Sequence, residues 1–109
     1  MASVIIAGVG SYAPPKVLTN HDLSKMVDTS DEWIFSRSGI RERRIAAADE
    51  ACSDLAIKAA TAALADAKMK PSDIDLLIVA TASPYTPLPS TACYVHHKLG
   101  VPSHATCFD

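Results

Sequence analysis

Trp33 and Arg37 stand four residues apart inside the stretch Asp28–Arg44, DTSDEWIFSRSGIRERR. On a helix that spacing puts the indole and the guanidinium on one face. The indole offers a stacking surface, and the guanidinium offers planar donors to phosphate or a stacking plane of its own. The pair suits a flat, anionic ligand. It also suits a partly buried Trp capped by a surface Arg. Shortly after it come Arg41, Arg43 and Arg44, three arginines in four residues. Such a run can receive phosphate or an acidic carrier protein, or it can be a solvated edge strand. The cysteines Cys52, Cys93 and Cys107 form no CxxC pair and no zinc spacing. Reduced, mostly buried thiols are expected. His96 and His97 are adjacent, and neighbours on a helix point about 100° apart, so they do not converge on one metal ion. No metal site is expected.

The elements that position these groups follow from pattern. Thr29-Ser30-Asp31-Glu32 has the spacing of a capping box, with Thr29 as the cap. A short helix carrying Trp33 and Arg37 is expected, ended by Gly39. IRERRI then reads as a strand, with Arg41 and Arg43 on one face and Ile40, Glu42 and Arg44 on the other. Upstream, Ser3 to Gly10 is an apolar run that reads as a buried strand. Gly8-Val9-Gly10 reads as a tight turn leaving it, and not as a dinucleotide fingerprint. Asn20 is placed to cap a helix from His21 to Val27, with His21 solvated.

Downstream, Ala51 to Lys68 is the clearest helix. Cys52, Leu55, Ala59, Ala63 and Ala67 recur on one stripe, and Asp54 and Lys58 are placed to pair on the polar face. Pro71 to Asp75 turns the chain. Leu76 to Ala82 is a continuous apolar run, the pattern of a strand covered on both faces. Ser83 to Pro89 holds three prolines and reads as a loop. Ser90 to Leu99 is a second helix, stopped by Gly100. Ala105 to Asp109 reads as a last strand. Helices alternating with apolar strands define an α/β fold.

At 109 residues this is one domain or a part of one. Hydrophobic residues make up 49% and charged residues 20%, so the chain is globular. A net charge of −2 gives no reason to expect nucleic acid or an anionic membrane surface as partner. No apolar run approaches the roughly 20 residues of a membrane span. Val4 to Gly10 is too short and lacks a basic lead-in for a signal peptide. A cytoplasmic protein is expected.

Four segments, IIAGVGSYAPP, LTNHDLSKMVDTSDEWIFSRSGIRERR, LLIVATASPYTPLPSTACYVHHKLG and the final CFD, together resemble the N-terminal portion of β-ketoacyl-acyl-carrier-protein synthase III. That family comprises condensing enzymes of the thiolase superfamily. The resemblance runs without a gap over the whole chain. It implies the N-terminal half of a thiolase-like fold, incomplete here: a mixed sheet covered by helices, assembled as a homodimer. It also implies an acyltransferase that condenses acyl-CoA, acetyl-CoA in the first instance, with malonyl-acyl-carrier protein. CO2 and CoA are released. CoA enters as a thioester substrate, and no cofactor is implied.

The family's reactive Cys follows the Phe-Asp that Phe108-Asp109 matches, so it is expected just after Asp109. The family's His and Asn belong to the second half. No catalytic residue is therefore expected within these residues, and His21, His96, His97 and His104 match none of that motif. Cys107 precedes the expected nucleophile and reads as a core thiol. By the resemblance, Trp33 packs on the CoA adenine, Arg37 accompanies it on the nucleotide, and Thr29 lies on the same rim. Ser38 stands where a Thr is common and keeps the hydroxyl. Leu88 falls where some members place a Phe that reaches the partner's acyl pocket. Two alternatives stand beside this reading. One is a non-catalytic piece that supplies the CoA rim and a dimer surface. The other is a starter-unit acyltransferase of a polyketide-type pathway.

Overall fold

The computed structural model describes residues 3–84 and 86–109. Their contacts divide the chain into two compact units, residues 13–49 and residues 1–12 with 50–109. Each is built on its own two-stranded ladder.

In the unit 13–49, β1 (Lys16–Thr19) runs into α1 (Asn20–Ser24), followed by α2 (Asp31–Ser38) and β2 (Glu42–Ile45). β1 and β2 are antiparallel, with Lys16 opposite Ile45 and Thr19 opposite Glu42. β1 was not anticipated from the sequence. α1 is shorter than expected, and its cap is Thr19 instead of Asn20. The Thr19 hydroxyl accepts from the Asp22 amide at 3.1 Å, while the Asp22 carboxylate accepts from the Thr19 amide at 3.3 Å. That reciprocal pair satisfies two backbone donors at the helix start.

Asn20 is freed for another task. It is 1% exposed. Its side-chain amide donates to Asp31 Oδ1 at 2.8 Å and to the Ile40 carbonyl at 2.7 Å. Its Oδ1 accepts from Arg43 Nη2 at 2.7 Å. One buried Asn thus ties the start of α1 to both ends of the α2 segment and to β2. A buried polar group held this fully costs little to bury and fixes one arrangement.

α2 follows the expected course with one correction. Its cap is Ser30, not Thr29: the Ser30 hydroxyl accepts from the Trp33 amide at 3.1 Å. The phase moves by one residue because Thr29 turns inward. Asp31 and Glu32 occupy the first turn, where carboxylates favour the positive end of the helix. Gly39 closes the helix at φ 70°, a left-handed conformation that favours glycine.

In the other unit, α3 (Cys52–Ala67) packs against α4 (Thr91–Leu99), and β3 (Leu76–Ile78) runs parallel to β4 (Thr106–Phe108). A short 3-10 turn at Pro71–Asp73 leads into β3. The most buried apolar residues are Ala92, Val95, Val101 and Ala105, on α4 and the connection to β4. The thiols are less buried than expected: Cys52 and Cys107 are half-buried and Cys93 is exposed.

Two strand expectations are corrected. Residues 3–10 are not part of a sheet among the described residues, and Val4 is 99% exposed. The run Leu76–Ala82 is a strand only over Leu76–Ile78, with Leu76 and Ile78 half-exposed and not covered on both faces. A strand persists only where a neighbour completes its backbone hydrogen bonds. β3 has one such neighbour, and residues 3–10 have none among the described residues.

The GxG is not a turn at the end of a strand. It is a close approach of backbone to helix. A Cβ on Gly8 would lie 2.6 Å from the Ala67 amide, and one on Gly10 would lie 2.2 Å from the Ala63 amide. The alanine stripe of α3 is the surface on which these glycines rest, and the Val9 amide donates to Asp66 at 2.9 Å. The expected Asp54–Lys58 pair is also rearranged. Lys58 bonds Glu50 and, at 3.0 Å, the Tyr12 hydroxyl, over whose ring it lies at 4.3 Å. Asp54 instead binds Lys98 at 2.8 Å and accepts from the Ala51 amide at 2.9 Å. Glu50 and Lys98 offer each charge a nearer partner than the turn of helix between them.

Candidate functional site

α2 places Trp33 and Arg37 as their spacing requires. The Arg37 guanidinium lies over the Trp33 ring, 4.8 Å from its centroid. That is within the roughly 6 Å of an effective cation–π contact. The guanidinium covers one face of the ring, yet Trp33 remains 56% exposed. A partly buried Trp capped by a surface Arg and a Trp–Arg face open to a flat anion both describe this arrangement. Trp33 also lines an open cleft of about 390 Å³ with Asp28, Thr29 and Ser30.

Thr29 belongs to that cleft. Its hydroxyl oxygen is buried and makes no hydrogen bond among the described residues. A buried hydroxyl without a partner is costly and uncommon. The cleft is thus lined by an exposed aromatic ring and by a residue with an unused hydroxyl, and the Arg37 guanidinium lies over that ring. Ser38 closes α2 from within: its hydroxyl donates to the Ile34 carbonyl at 2.7 Å and accepts from the Ile40 amide at 3.2 Å.

The three following arginines are structural in this arrangement. Arg43 is held by Asn20, Arg41 lies 3.7 Å from the Phe35 ring centroid and near Asp31, and Arg44 reaches the Pro14 carbonyl at 3.3 Å and Glu42. Leu88, in the loop before α4, is 86% exposed. Tyr85 of the expected Ser83–Pro89 loop lies outside the described residues.

Cys107 sits within β4, as expected of a strand thiol. Burial pushes its thiol up, and the adjacent Cys93 adds to that. A raised thiol is a poor nucleophile at neutral pH. Among the described residues no group of three or more His, Cys, Asp or Glu is arranged to hold a metal ion. His96 is engaged with the Pro102 carbonyl at 3.0 Å, and His104 lies 3.6 Å from Asp75.

Two site-shaping residues escaped the sequence reading. One is Asn20. The other is Asp109, whose two carboxylate oxygens accept from the Thr91 and Ala92 amides at 2.6 Å each. Asp109 thereby caps α4 from a distant strand, while Ser90 at the cap position makes no side-chain cap bond. The Phe-Asp dipeptide fixes the end of β4 against the start of α4. No signal in the sequence pointed to this, because Ser90 is itself a favoured cap residue.

No family model matches the chain. Individual proteins do. The chain is 57% identical over all 109 residues to a β-ketoacyl-[acyl-carrier-protein] synthase III of Clostridium acetobutylicum, covering 33% of that protein. It is 60% identical over 95 residues to the synthase III of Geobacillus kaustophilus, covering 87% of this chain and 31% of that one. The crystal structure of 3-oxoacyl-[acyl-carrier-protein] synthase III from Aquifex aeolicus VF5 superposes with a TM-score of 0.87 at 49% identity, over 95% of this chain and 33% of that one. The priming β-ketosynthase of the R1128 polyketide biosynthetic pathway superposes at 0.86 with 36% identity, over 95% of this chain and 31% of that one.

The two units and the cleft at α2 thus lie in an α/β fold of the thiolase-like synthase class, and form a fragment of that larger fold. Within the class, the chain is a relative of β-ketoacyl-[acyl-carrier-protein] synthase III. It spans about a third of the length of the curated relatives it matches. No helix among the described residues is long and apolar enough to cross a membrane.

Proposed function

We propose that these residues form the CoA-entrance rim of an enzyme that initiates fatty-acid synthesis. The complete chain condenses acyl-CoA, acetyl-CoA first, with malonyl-acyl-carrier protein and releases CO2 and CoA. The observation that carries this proposal is the Trp33–Arg37 stack beside the unpaired Thr29 hydroxyl. Trp33 stacks on the adenine, Arg37 neutralises nucleotide phosphate, and Thr29 supplies the hydrogen bond its hydroxyl lacks in the free protein. The similarity to synthase III proteins, over all 109 residues of this chain and about a third of their length, supports the reading.

The nucleophile that takes up the acyl group as a thioester lies after Asp109 in this proposal. Asp109 contributes by holding the end of β4 on α4, which sets where the following residues start. The enzyme works as a homodimer, with the exposed Leu88 covered by the partner at its acyl pocket.

A second reading concerns the primer. The likeness to a polyketide priming ketosynthase, with the small Leu88 in place of an aromatic residue, favours a starter-unit acyltransferase that admits longer or branched primers.

The test is CoA release by the full-length chain with malonyl-acyl-carrier protein and a panel of acyl-CoA primers. Release with acetyl-CoA supports the first reading, and release with longer primers alone supports the second. Trp33→Ala should raise KM for acyl-CoA more than it lowers kcat. No release with any primer would leave the condensing reading without support.

A further inference from the structure

Cys93 and Cys107 are fourteen residues apart in sequence, but their sulfur atoms lie 3.8 Å apart. Cys93 is on the first turn of α4, at its exposed surface, and Cys107 faces it from β4. Cys52 is elsewhere, its sulfur 3.6 Å from the Thr81 hydroxyl. We propose that Cys93 and Cys107 are a redox-active dithiol that closes to a disulfide across the α4–β4 junction when it meets a small disulfide oxidant such as oxidised glutathione.

The geometry defines the roles. A disulfide needs its sulfurs about 2.05 Å apart, so closure asks for a movement of roughly 1.8 Å. Side-chain rotation supplies most of that for a surface residue such as Cys93. Exposure makes Cys93 the thiol an oxidant can reach. The helix N-terminus and the Ser90 hydroxyl, 3.4 Å from its sulfur, favour its thiolate. The Ser90 hydrogen bond first, and the Cys107 contact second, hold the Cys93 thiol below its ordinary value. Cys107, raised by burial and by Cys93, is the resolving partner.

The Cys93 thiolate attacks one sulfur of oxidised glutathione and expels the other as glutathione thiolate. Cys107 then loses its proton and attacks the Cys93 sulfur of the mixed disulfide. A second glutathione thiolate leaves. Two protein thiols are oxidised to one disulfide, and the two protons they give up convert the two glutathione thiolates to thiols, so one glutathione disulfide is reduced.

The consequence lies two residues away. Asp109 caps α4 through Thr91 and Ala92, on the same turn as Cys93. Closure draws that turn toward β4 and loads the bonds that position Asp109. The junction thereby becomes sensitive to redox state.

The test is mass spectrometry of the natively folded protein after exposure to oxidised glutathione near pH 8 and alkylation of remaining thiols. The proposal predicts loss of two hydrogens, a peptide joining Cys93 to Cys107 and, of Cys52, Cys93 and Cys107, alkylation of Cys52 alone. Dithiothreitol should restore all three thiols. Cys107→Ser should stop at a glutathione adduct on Cys93, and Cys52→Ser should oxidise like the parent. Alkylation of all three thiols in the treated parent, or a bridge that includes Cys52, would overturn the proposal.

Discussion

Arg43 Nη2 donates to Asn20 Oδ1 at 2.7 Å across twenty-three residues of sequence. The bond converts what looks like a basic patch into scaffold. Arg43 also reaches the Leu18 carbonyl at 3.4 Å, so it clamps β2 to β1 and both to the buried Asn. Asn20→Ala would leave Asp31, the Ile40 carbonyl and Arg43 without that partner. The expected loss is about 1–3 kcal/mol of stability, the usual cost of leaving buried polar groups unsatisfied. Urea unfolding followed through Trp33 emission would read it. An unchanged midpoint would remove Asn20 from its place as the tie of this unit.

Gly10 has a different constraint. A Cβ there would meet backbone atoms of α3, 2.2 Å from the Ala63 amide and 2.5 Å from the Ala59 carbonyl. Neither atom can yield as the end of a side chain would. Gly10→Ala should therefore destabilise by about 1–3 kcal/mol, the range for overpacking. Chemical denaturation checks this, and Ala62→Ser on the exposed side of α3 serves as a neutral comparison.

The acid limb of stability has identifiable sources. Asp22 is held below the ordinary carboxylate range first by the Thr19 hydroxyl and then by the Thr19 amide. Asp54 is held down first by Lys98 and then by the Ala51 amide. At Asp109 burial pushes upward, but the Ala92 and Thr91 amides outweigh it and the net shift is down. A depressed folded-state value stabilises above the unfolded value of about 3.9 and is lost as pH falls through the folded value. Urea midpoints should be level above about pH 5 and decline below about pH 4. Asp54→Asn should flatten part of that decline. A midpoint that rises on acidification would contradict the assignment.

Several apolar side chains stand open in these residues. Val4, Ile5 and Ile6 are 99%, 78% and 87% exposed, and Phe108 is half-exposed. Contiguous apolar surface of this kind drives association. The 109-residue chain alone should self-associate in light scattering at micromolar concentration, and substitution of Ile6 by Lys should reduce the effect. A monodisperse monomer would show that this surface is tolerated.

Local signals in the sequence carried α2, α3 and α4, because the terminal glycines of α2 and α4 and the alanine stripe of α3 act within a few residues. Gly39 and Gly100 end their helices in the left-handed conformation, as their positions suggest. Trp33 and Arg37 were readable for the same reason, being one helical turn apart. What escaped depended on distant partners. Asn20 looks like a helix cap, and only its bonds to Asp31, Ile40 and Arg43 reveal a buried hub. Asp109 looks like a strand end, yet it caps a helix. Ser3 to Gly10 has the composition of a strand, but composition does not provide the neighbour a strand requires. The Cys93–Cys107 approach is likewise invisible at fourteen residues' separation.

Arg37 separates binding from scaffolding in the proposed CoA rim. Its guanidinium contacts the Trp33 ring and carries no ion pair among the described residues. Arg37→Ala should weaken CoA binding roughly tenfold or more, since charge-assisted bonds to phosphate are worth about 1.5–3 kcal/mol. Fold stability should change by less than about 0.5 kcal/mol. Isothermal titration with CoA and urea unfolding would separate the two effects.

The most direct measurement is titration of the full-length chain with CoA while recording Trp33 fluorescence, using Trp33→Phe as the reference. The same titration with pantetheine, which lacks the nucleotide, isolates the contribution of the nucleotide. A saturable change in Trp33 emission with CoA and little change with pantetheine is the predicted result. Emission that CoA leaves unchanged, or that pantetheine alters equally, would contradict a stacking role for Trp33 and with it the CoA-entrance assignment.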